Sequence, residues 1–169
     1  MMKVLETERL ILRRASADDG EFILELLNDP AWLRFIGNKS VRTIDDARAY
    51  IARTLVGSYE RLGFGLYVTE LKAGGAPIGL CGLIKRDSLD DVDVGFAFLP
   101  QFRGRGYAYE ASAAVVAYGR SAFGFKRLVA ITSADNYVSA GLLEKLGFKF
   151  ERTVKLSADD EVRLFASDL

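Results

Sequence analysis

Apolar positions along the chain change their period twice, and the changes outline the elements. Leu10, Ile11 and Leu12 stand between charged residues, a short apolar run that predicts a first strand over Arg9 to Arg14. Ser16 followed by Asp19 has the spacing of a helix start in which side chains and backbone amides satisfy each other. Phe22, Ile23, Leu26 and Leu27 then share one helical face, and Asn28-Asp29-Pro30 ends it. Thr43 and Asp46 repeat the starting signal, and Ile44, Ala47, Ile51, Leu55, Tyr59 and Leu62 recur at helical spacing up to Gly63.

Beyond Gly63 the pattern shortens to strands. Phe64 to Leu71 and Pro77 to Lys85 are separated by Lys72-Ala73-Gly74-Gly75, a hairpin signal. Asp87 to Asp91 is a polar turn, and Val92 to Leu99 is a further strand ending at Pro100. A glycine-rich segment, Gln101 to Gly106, leads into a helix lined on one face by Ala108, Ala111, Val115, Tyr118 and Ala122. Those residues are mostly small, so the helix can lie close against a sheet. Arg127 to Thr132 reads as a strand, and Asn136 to Leu146 as a helix closed by Gly147. Phe148 to Leu156 and Glu161 to Ser167 complete a final strand pair. An antiparallel meander followed by a β-α-β crossover predicts a mixed α/β fold. Its seven-stranded, mostly antiparallel sheet carries about four helices on its faces. No repeat or Pro/Gly/Ser linker interrupts the pattern, so a single domain over residues 1–169 is expected.

Composition narrows the chemistry. Half of the residues are apolar and 27% are charged, which is ordinary globular usage. The 23 basic and 23 acidic residues cancel, giving no general attraction to nucleic acid or membrane. The single cysteine, Cys81, lies in an apolar run and reads as a small buried hydrophobe. There are no histidines, which excludes His-based triads and His-ligated metal, so no metal site is expected. Proton transfer must use carboxylates, hydroxyls, lysine, water or backbone. No basic-then-apolar leader or bilayer-length run is present, and a cytoplasmic setting is expected.

The segment Val94 to Ala108 carries the most chemical information. A strand passes through Gly104-Arg105-Gly106 into a helix. Two glycines allow backbone N–H groups to converge, and the helix adds its N-terminal partial positive charge at the same point. Phosphate is the natural guest. The Gly-Lys-Ser/Thr ending of a Walker loop is absent, and Tyr109 stands where a dinucleotide fingerprint needs its third glycine.

Gln101-x-x-Gly104-x-Gly106 after a strand resembles the pyrophosphate loop of the GNAT acetyltransferase superfamily. Thr7-Glu8-Arg9-Leu10-Ile11-Leu12-Arg13, Gly104 to Ala111, and Asn136-Tyr137-Val138-Ser139 with Leu143 to Phe148 resemble, in order, blocks of its RimJ/RimL-type branch. The resemblance implies a GNAT-like sheet in which two parallel strands, Val92–Leu99 and Arg127–Thr132, splay apart around acetyl-CoA as co-substrate. Phe96, Ala97, Phe98 and Leu99 would then pair with the pantetheine arm, and Arg103, Gly104, Arg105, Gly106, Tyr107 and Ala108 would cradle the pyrophosphate through their amides. A backbone N–H near Phe96 or Ala97 would stabilise an oxyanion.

The same resemblance places Asp93 where many members carry a catalytic glutamate. Asp91 is expected on the same strand face, where it would attract an acceptor ammonium; both also read as solvated residues flanking a turn. Leu143 stands where many members have a general-acid tyrosine. Ser139 is the branch's alternative acid, and Asn136 would hydrogen-bond the cofactor arm; both also read as residues of an ordinary helix start. Glu110 reads as structuring the loop, and Tyr107 and Tyr109 as packing residues. The acceptor segment is expected between the first two helices, from Pro30 to Arg42. There Trp32, Phe35 and Ile36 could line a pocket, and Arg34, Lys39 and Arg42 could favour an acidic neighbour on the acceptor. The resemblance implies acetyl transfer to a primary amine, with a protein N-terminal α-amine preferred. A small-molecule amine and a non-catalytic acyl-CoA-binding module are the alternatives. A homodimer is left open.

Overall fold

The computed structural model describes residues 2–169. Eight strands form one sheet: β1 (Lys3–Glu6), β2 (Leu10–Arg13), β3 (Leu66–Leu71), β4 (Pro77–Ile84), β5 (Asp93–Phe98), β6 (Arg127–Ser133), β7 (Lys149–Ser157) and β8 (Asp160–Asp168). Their order is β1-β2-β3-β4-β5-β6-β8-β7. Every neighbouring pair is antiparallel except β5 and β6, which run parallel. The expected mixed, mostly antiparallel sheet is present with one more strand than the pattern predicts. The addition is β1, a four-residue edge strand too short and too exposed to show an apolar period.

Six α-helices accompany the sheet: α1 (Gly20–Leu27), α2 (Pro30–Phe35), α3 (Ile44–Tyr50), α4 (Gly57–Leu62), α5 (Tyr107–Phe123) and α6 (Tyr137–Lys145). A π-helical stretch, Ile51–Val56, joins α3 to α4, so the long periodic segment is a single helical run with a widened middle. The short helix α2 was not expected. Asp29 accepts hydrogen bonds from the N–H groups of Ala31 and Trp32, with Pro30 at the first helical position. The residues that end α1 therefore also start α2.

The Thr43 start forms in full: Asp46 N–H donates to Thr43 Oγ1 at 3.0 Å, and Thr43 N–H donates to Asp46 at 3.2 Å. At Ser16 only half of the arrangement forms. Ser16 N–H donates to Asp19 at 2.9 Å, while the Ser16 hydroxyl has no partner. Asp19 is instead drawn to Arg13, which also pairs with Glu70, tying β2 to β3 in the interior.

Helix α5 fixes the two faces of the sheet. Its small residues Ala111, Ser112 and Gly119 are buried, and a Cβ on Gly119 would sit 3.6 Å from Leu83. Cys81 Sγ lies 3.6 Å from Ser112 Oγ, and burial pushes the thiol up to about 12, so it remains an inert core group. Cys81 and Leu83 pair with Phe96 and Val94, so the even-numbered side chains of β5 face α5. Asp93, Gly95 and Ala97 face the opposite side. Among the described residues no helix is long and apolar enough to cross a membrane.

Candidate active site

The parallel pair β5–β6 separates almost as soon as it forms. Its one register pair is Asp93 with Val129, where Val129 N–H donates to the Val92 carbonyl. The other edge of β5 stays paired with β4 through Phe98. Two bonds set the alternation of the backbone groups: Leu99 N–H donates to Ile78 O, and Val129 N–H to Val92 O. Odd-numbered residues of β5 therefore present their N–H and C=O to β4, and even-numbered residues present theirs to the gap. This narrows one expectation. Ala97 has its amide turned to β4, so of the two expected oxyanion donors the one whose N–H faces the gap is Phe96. Arg103 Nε donates to the Phe98 carbonyl at 3.0 Å, so that oxygen is already occupied.

At the end of β5 the chain makes a short 3-10 turn, Pro100–Phe102, and then two left-handed residues, Gly104 (φ 74°) and Gly106 (φ 84°). Any β-branched residue would be strained at either position. Gly106 is the N-cap of α5, and no side chain caps the helix. The first intrahelical bond is Glu110 N–H to Gly106 O at 3.0 Å, so the amides before it have no intrahelical acceptor.

Glu110 is the carboxylate that could have occupied those amides, but it is held elsewhere. The Thr7 hydroxyl donates to it at 2.5 Å, Arg9 N–H at 2.9 Å and Arg9 Nε at 2.7 Å. Arg9 Nη1 also donates to the Arg105 carbonyl at 3.0 Å, and its guanidinium lies 4.4 Å from the centre of the Tyr107 ring. Burial works to raise the Glu110 pKa, but these donors outweigh it and hold the carboxyl below its usual value. The turn after β1 thus braces the glycine loop and keeps a negative charge away from the helix start. Motif reading picked out Thr7 and Arg9 without seeing this role, because the partners lie about 100 residues apart.

The residues fit acetyl-CoA: an unpaired strand edge can take its amide-bearing arm, and free helix amides can take its pyrophosphate. On the face opposite α5, Asp93 lies where β5 and β6 part. It is only 2% exposed. Its Oδ2 accepts from Arg86 Nε at 2.8 Å, and Oδ1 is buried without a partner. Burial pushes its pKa up, against the opposing pull of Arg86 and Lys85.

Asp91 does not share that position. It precedes β5 and is bonded by Arg127 Nε at 3.1 Å, while Arg127 also grips Glu151 at 2.7 Å. The expected pair of carboxylates on one strand face is thus replaced by Asp93 alone with Arg86 as its cation. Sequence reading missed Arg86, which follows β4 and has no motif around it.

Asn136 caps α6 by accepting the Ser139 N–H at 3.2 Å, so its side-chain oxygen is engaged locally. Ser139 sits in the first turn, partly exposed. Leu143 is fully buried and belongs, with Leu128, Ala130 and Phe165, to the main core. In α2, Trp32 is 5% exposed and belongs to that core, Phe35 is half-buried, and Ile36 is exposed just beyond the helix. Trp32 is therefore a packing residue first. Arg103 Nη2 donates to Asp29 at 2.8 Å, so the residue expected at the pyrophosphate bridges β5 to the start of α2.

Comparison with known proteins agrees with this geometry. Residues 9–149 match the family described as "Acetyltransferase (GNAT) domain". The uncharacterized N-acetyltransferase YoaA of Bacillus subtilis is 30% identical over 158 residues, covering 92% of this chain and 88% of YoaA. An acetyltransferase structure from Agrobacterium tumefaciens superposes with a TM-score of 0.83 at 22% identity, covering 100% of this chain and 95% of that one. RimL, a ribosomal alpha-N-protein acetyltransferase solved in complex with coenzyme A, superposes with a TM-score of 0.84 at 17% identity, covering 99% and 98%. With a strand gap and a helix start shaped for acetyl-CoA, and the family matched over most of its length, the chain belongs to the GNAT acetyltransferases and is an acetyl-CoA-dependent N-acetyltransferase.

Proposed function

We propose that this enzyme, as a single acetyltransferase domain, acetylates the α-amino group of a polypeptide by direct attack in a ternary complex. The observation that carries this is the site at the apex of the strand gap: a free Phe96 N–H beside one buried carboxylate, Asp93, with no second base. Acetyl-CoA supplies a thioester, an acyl donor whose thiolate is a tolerable leaving group.

The protein's own groups divide the remaining work. Free amides from Arg105 to Ala108 bind the pyrophosphate, and the edge of β5 orients the arm that follows. Phe96 N–H points into the gap, where it can hold the developing oxyanion. Asp93 takes the proton of the attacking amine, through water because its side chain is buried. Its raised pKa moves it toward the working pH of a general base. An α-amine with a pKa of roughly 8 needs only modest help, whereas a lysine amine near 10.4 needs more. A single Asp therefore suits an α-amine. Ser139 is the hydroxyl available at the start of α6 for the leaving thiolate, a role that Leu143 cannot fill.

RimL, an alpha-N-protein acetyltransferase, shares the fold, which supports this choice of acceptor. Acceptor profiling tests it: thiol release is measured with N-terminal peptides, the same peptides blocked at the α-amine but carrying a free lysine, polyamines and amino sugars. Turnover confined to free α-amines is expected. Preference for lysine or for the small amines would overturn the choice of acceptor, and no thiol release with any amine would overturn the catalytic reading.

A further inference from the structure

The face that holds Asp93 is rich in positive charge. Arg86 is bonded to Asp93 at 2.8 Å, and Lys85 Nζ is tethered beside it on the Arg86 and Leu89 carbonyls. The three cations of the segment between α1 and α3 are used differently. Arg34 is paired with Asp135 at 3.0 Å. Arg42 lies at the start of α3, where its backbone N–H donates to Asp46. Lys39 takes part in no ion pair among the described residues.

Lys39 opens onto a cavity of about 230 Å³ that is also lined by Tyr50 and Arg53. The one acid in its lining, Asp46, accepts the N–H groups of Arg42 and Thr43 as the cap of α3. The π-helical stretch forms part of the wall, and widened turns of this kind often accompany binding sites. The cavity lies on the Asp93 side: Arg13, Val68, Leu80 and Ala97 are successive register partners on that face, Arg13 Nη2 donates to Asp19 just before α1 at 2.8 Å, and α3 packs against α1. Arg86 is near enough for its charge to act on both Lys39 and Tyr50, and partial desolvation together with that charge lowers the pKa of Lys39, whose side chain stays solvent-exposed. Asp160, the first residue of β8, exerts the opposite pull on Lys39 without pairing with it.

A bare ammonium would enter this surroundings against Lys39, Arg53 and Arg86, with one buried carboxylate to receive it. An acceptor that also carries a negative charge removes the conflict. We infer that the acceptor is an amine bearing a carboxylate a few bonds away, with the carboxylate received between Lys39 and Arg53 while the amine lies toward Asp93. The inference rests on the proposed acetylation of an α-amine. For a polypeptide acceptor it specifies an acidic residue directly after the N-terminus.

Two matched acceptor pairs test it: peptides identical except for Glu or Gln at the second residue, and β-alanine against β-alaninamide. With the native enzyme, kcat/KM should favour the anionic member of a pair by about tenfold, the size of one charged hydrogen bond. The preference should fall with added salt. Lys39→Ala should erase the preference while leaving KM for acetyl-CoA unchanged, Lys39→Arg should keep it, and Lys39→Glu should reverse it. Equal rates within both pairs for the native enzyme, or a preference that survives Lys39→Ala, would overturn the inference. If neither peptide reacts while a small amine does, the polypeptide reading fails, and the β-alanine pair alone decides whether charge is read.

Discussion

On the α5 side of the strand gap the site is made of main chain. The unpaired edge of β5, the left-handed Gly104 and Gly106, and the open amides of α5 need almost no particular side chain beyond the two glycines. On the other face it is made of side chains: Asp93 with Arg86, Lys39 and Tyr50 from separate elements, and Trp32 drawn into the core. Backbone sites tolerate sequence change everywhere except where conformation is special, whereas side-chain sites can be re-specified one residue at a time. The proposed cofactor half accordingly depends on few side-chain identities, and the proposed acceptor half on several. Substitutions on the first side should alter acetyl-CoA binding, and those on the second should alter turnover and acceptor choice.

The largest effect is expected at Gly106. A valine there must adopt a left-handed backbone at a cost of about 1–2 kcal/mol, and the loop relaxes away from its anion-binding shape. Gly106→Val should lower acetyl-CoA affinity by more than about 100-fold by calorimetry, a loss of more than ~2.7 kcal/mol. Its melting temperature without ligand should fall by only several degrees. Asp93→Asn should come next. General bases contribute about 100-fold or more, so kcat should fall by about that factor with acetyl-CoA affinity unchanged. The sign of the pH effect follows from burial: the carboxyl must be deprotonated to act, and its pKa is raised. The native rate should therefore decline as the pH drops through a value above the ordinary Asp range, and that limb should vanish in the variant.

A smaller effect tests the brace. Arg9→Ala frees the Glu110 carboxylate beside the phosphate site and releases the Arg105 carbonyl, so acetyl-CoA should bind about tenfold more weakly with kcat at saturation unchanged. Adding Glu110→Ala should restore part of that affinity, since the competing charge is removed. The smallest change is expected from Ser139→Ala: thiolate leaves readily without an acid, so kcat should fall by only about threefold. An unchanged rate would remove Ser139 from the chemistry.

The same contrast explains what the sequence reveals. The order of elements along the chain, the mixed sheet and the glycine loop follow from local patterns: short apolar runs, caps, and glycines at a strand-to-helix junction; the splayed parallel pair follows from the family resemblance. β1 escapes notice because four residues at a half-exposed edge carry no period. α2 escapes because Asn28-Asp29-Pro30 reads as a stop, although Asp29 and Pro30 are equally the start of the next helix. Asp91 looks like a partner of Asp93 by alternation alone. The strand begins only at Asp93, and Arg127, distant in sequence, takes Asp91 away. Ala97 and Phe96 are indistinguishable until the pairing with β4 fixes which amide faces the gap. Arg86, Tyr50 and the Thr7–Arg9–Glu110 brace depend on contacts between separated elements, which no spacing rule encodes.

Amide hydrogen exchange, followed residue by residue with and without coenzyme A, tests the central claim directly. Phe96 and Arg105 to Ala108 should exchange rapidly in the free enzyme and become protected on binding, while Ala97, already bonded to β4, should change little. Protection of those amides before any ligand is added, or ligand-induced protection confined to other parts of the chain, would contradict the account.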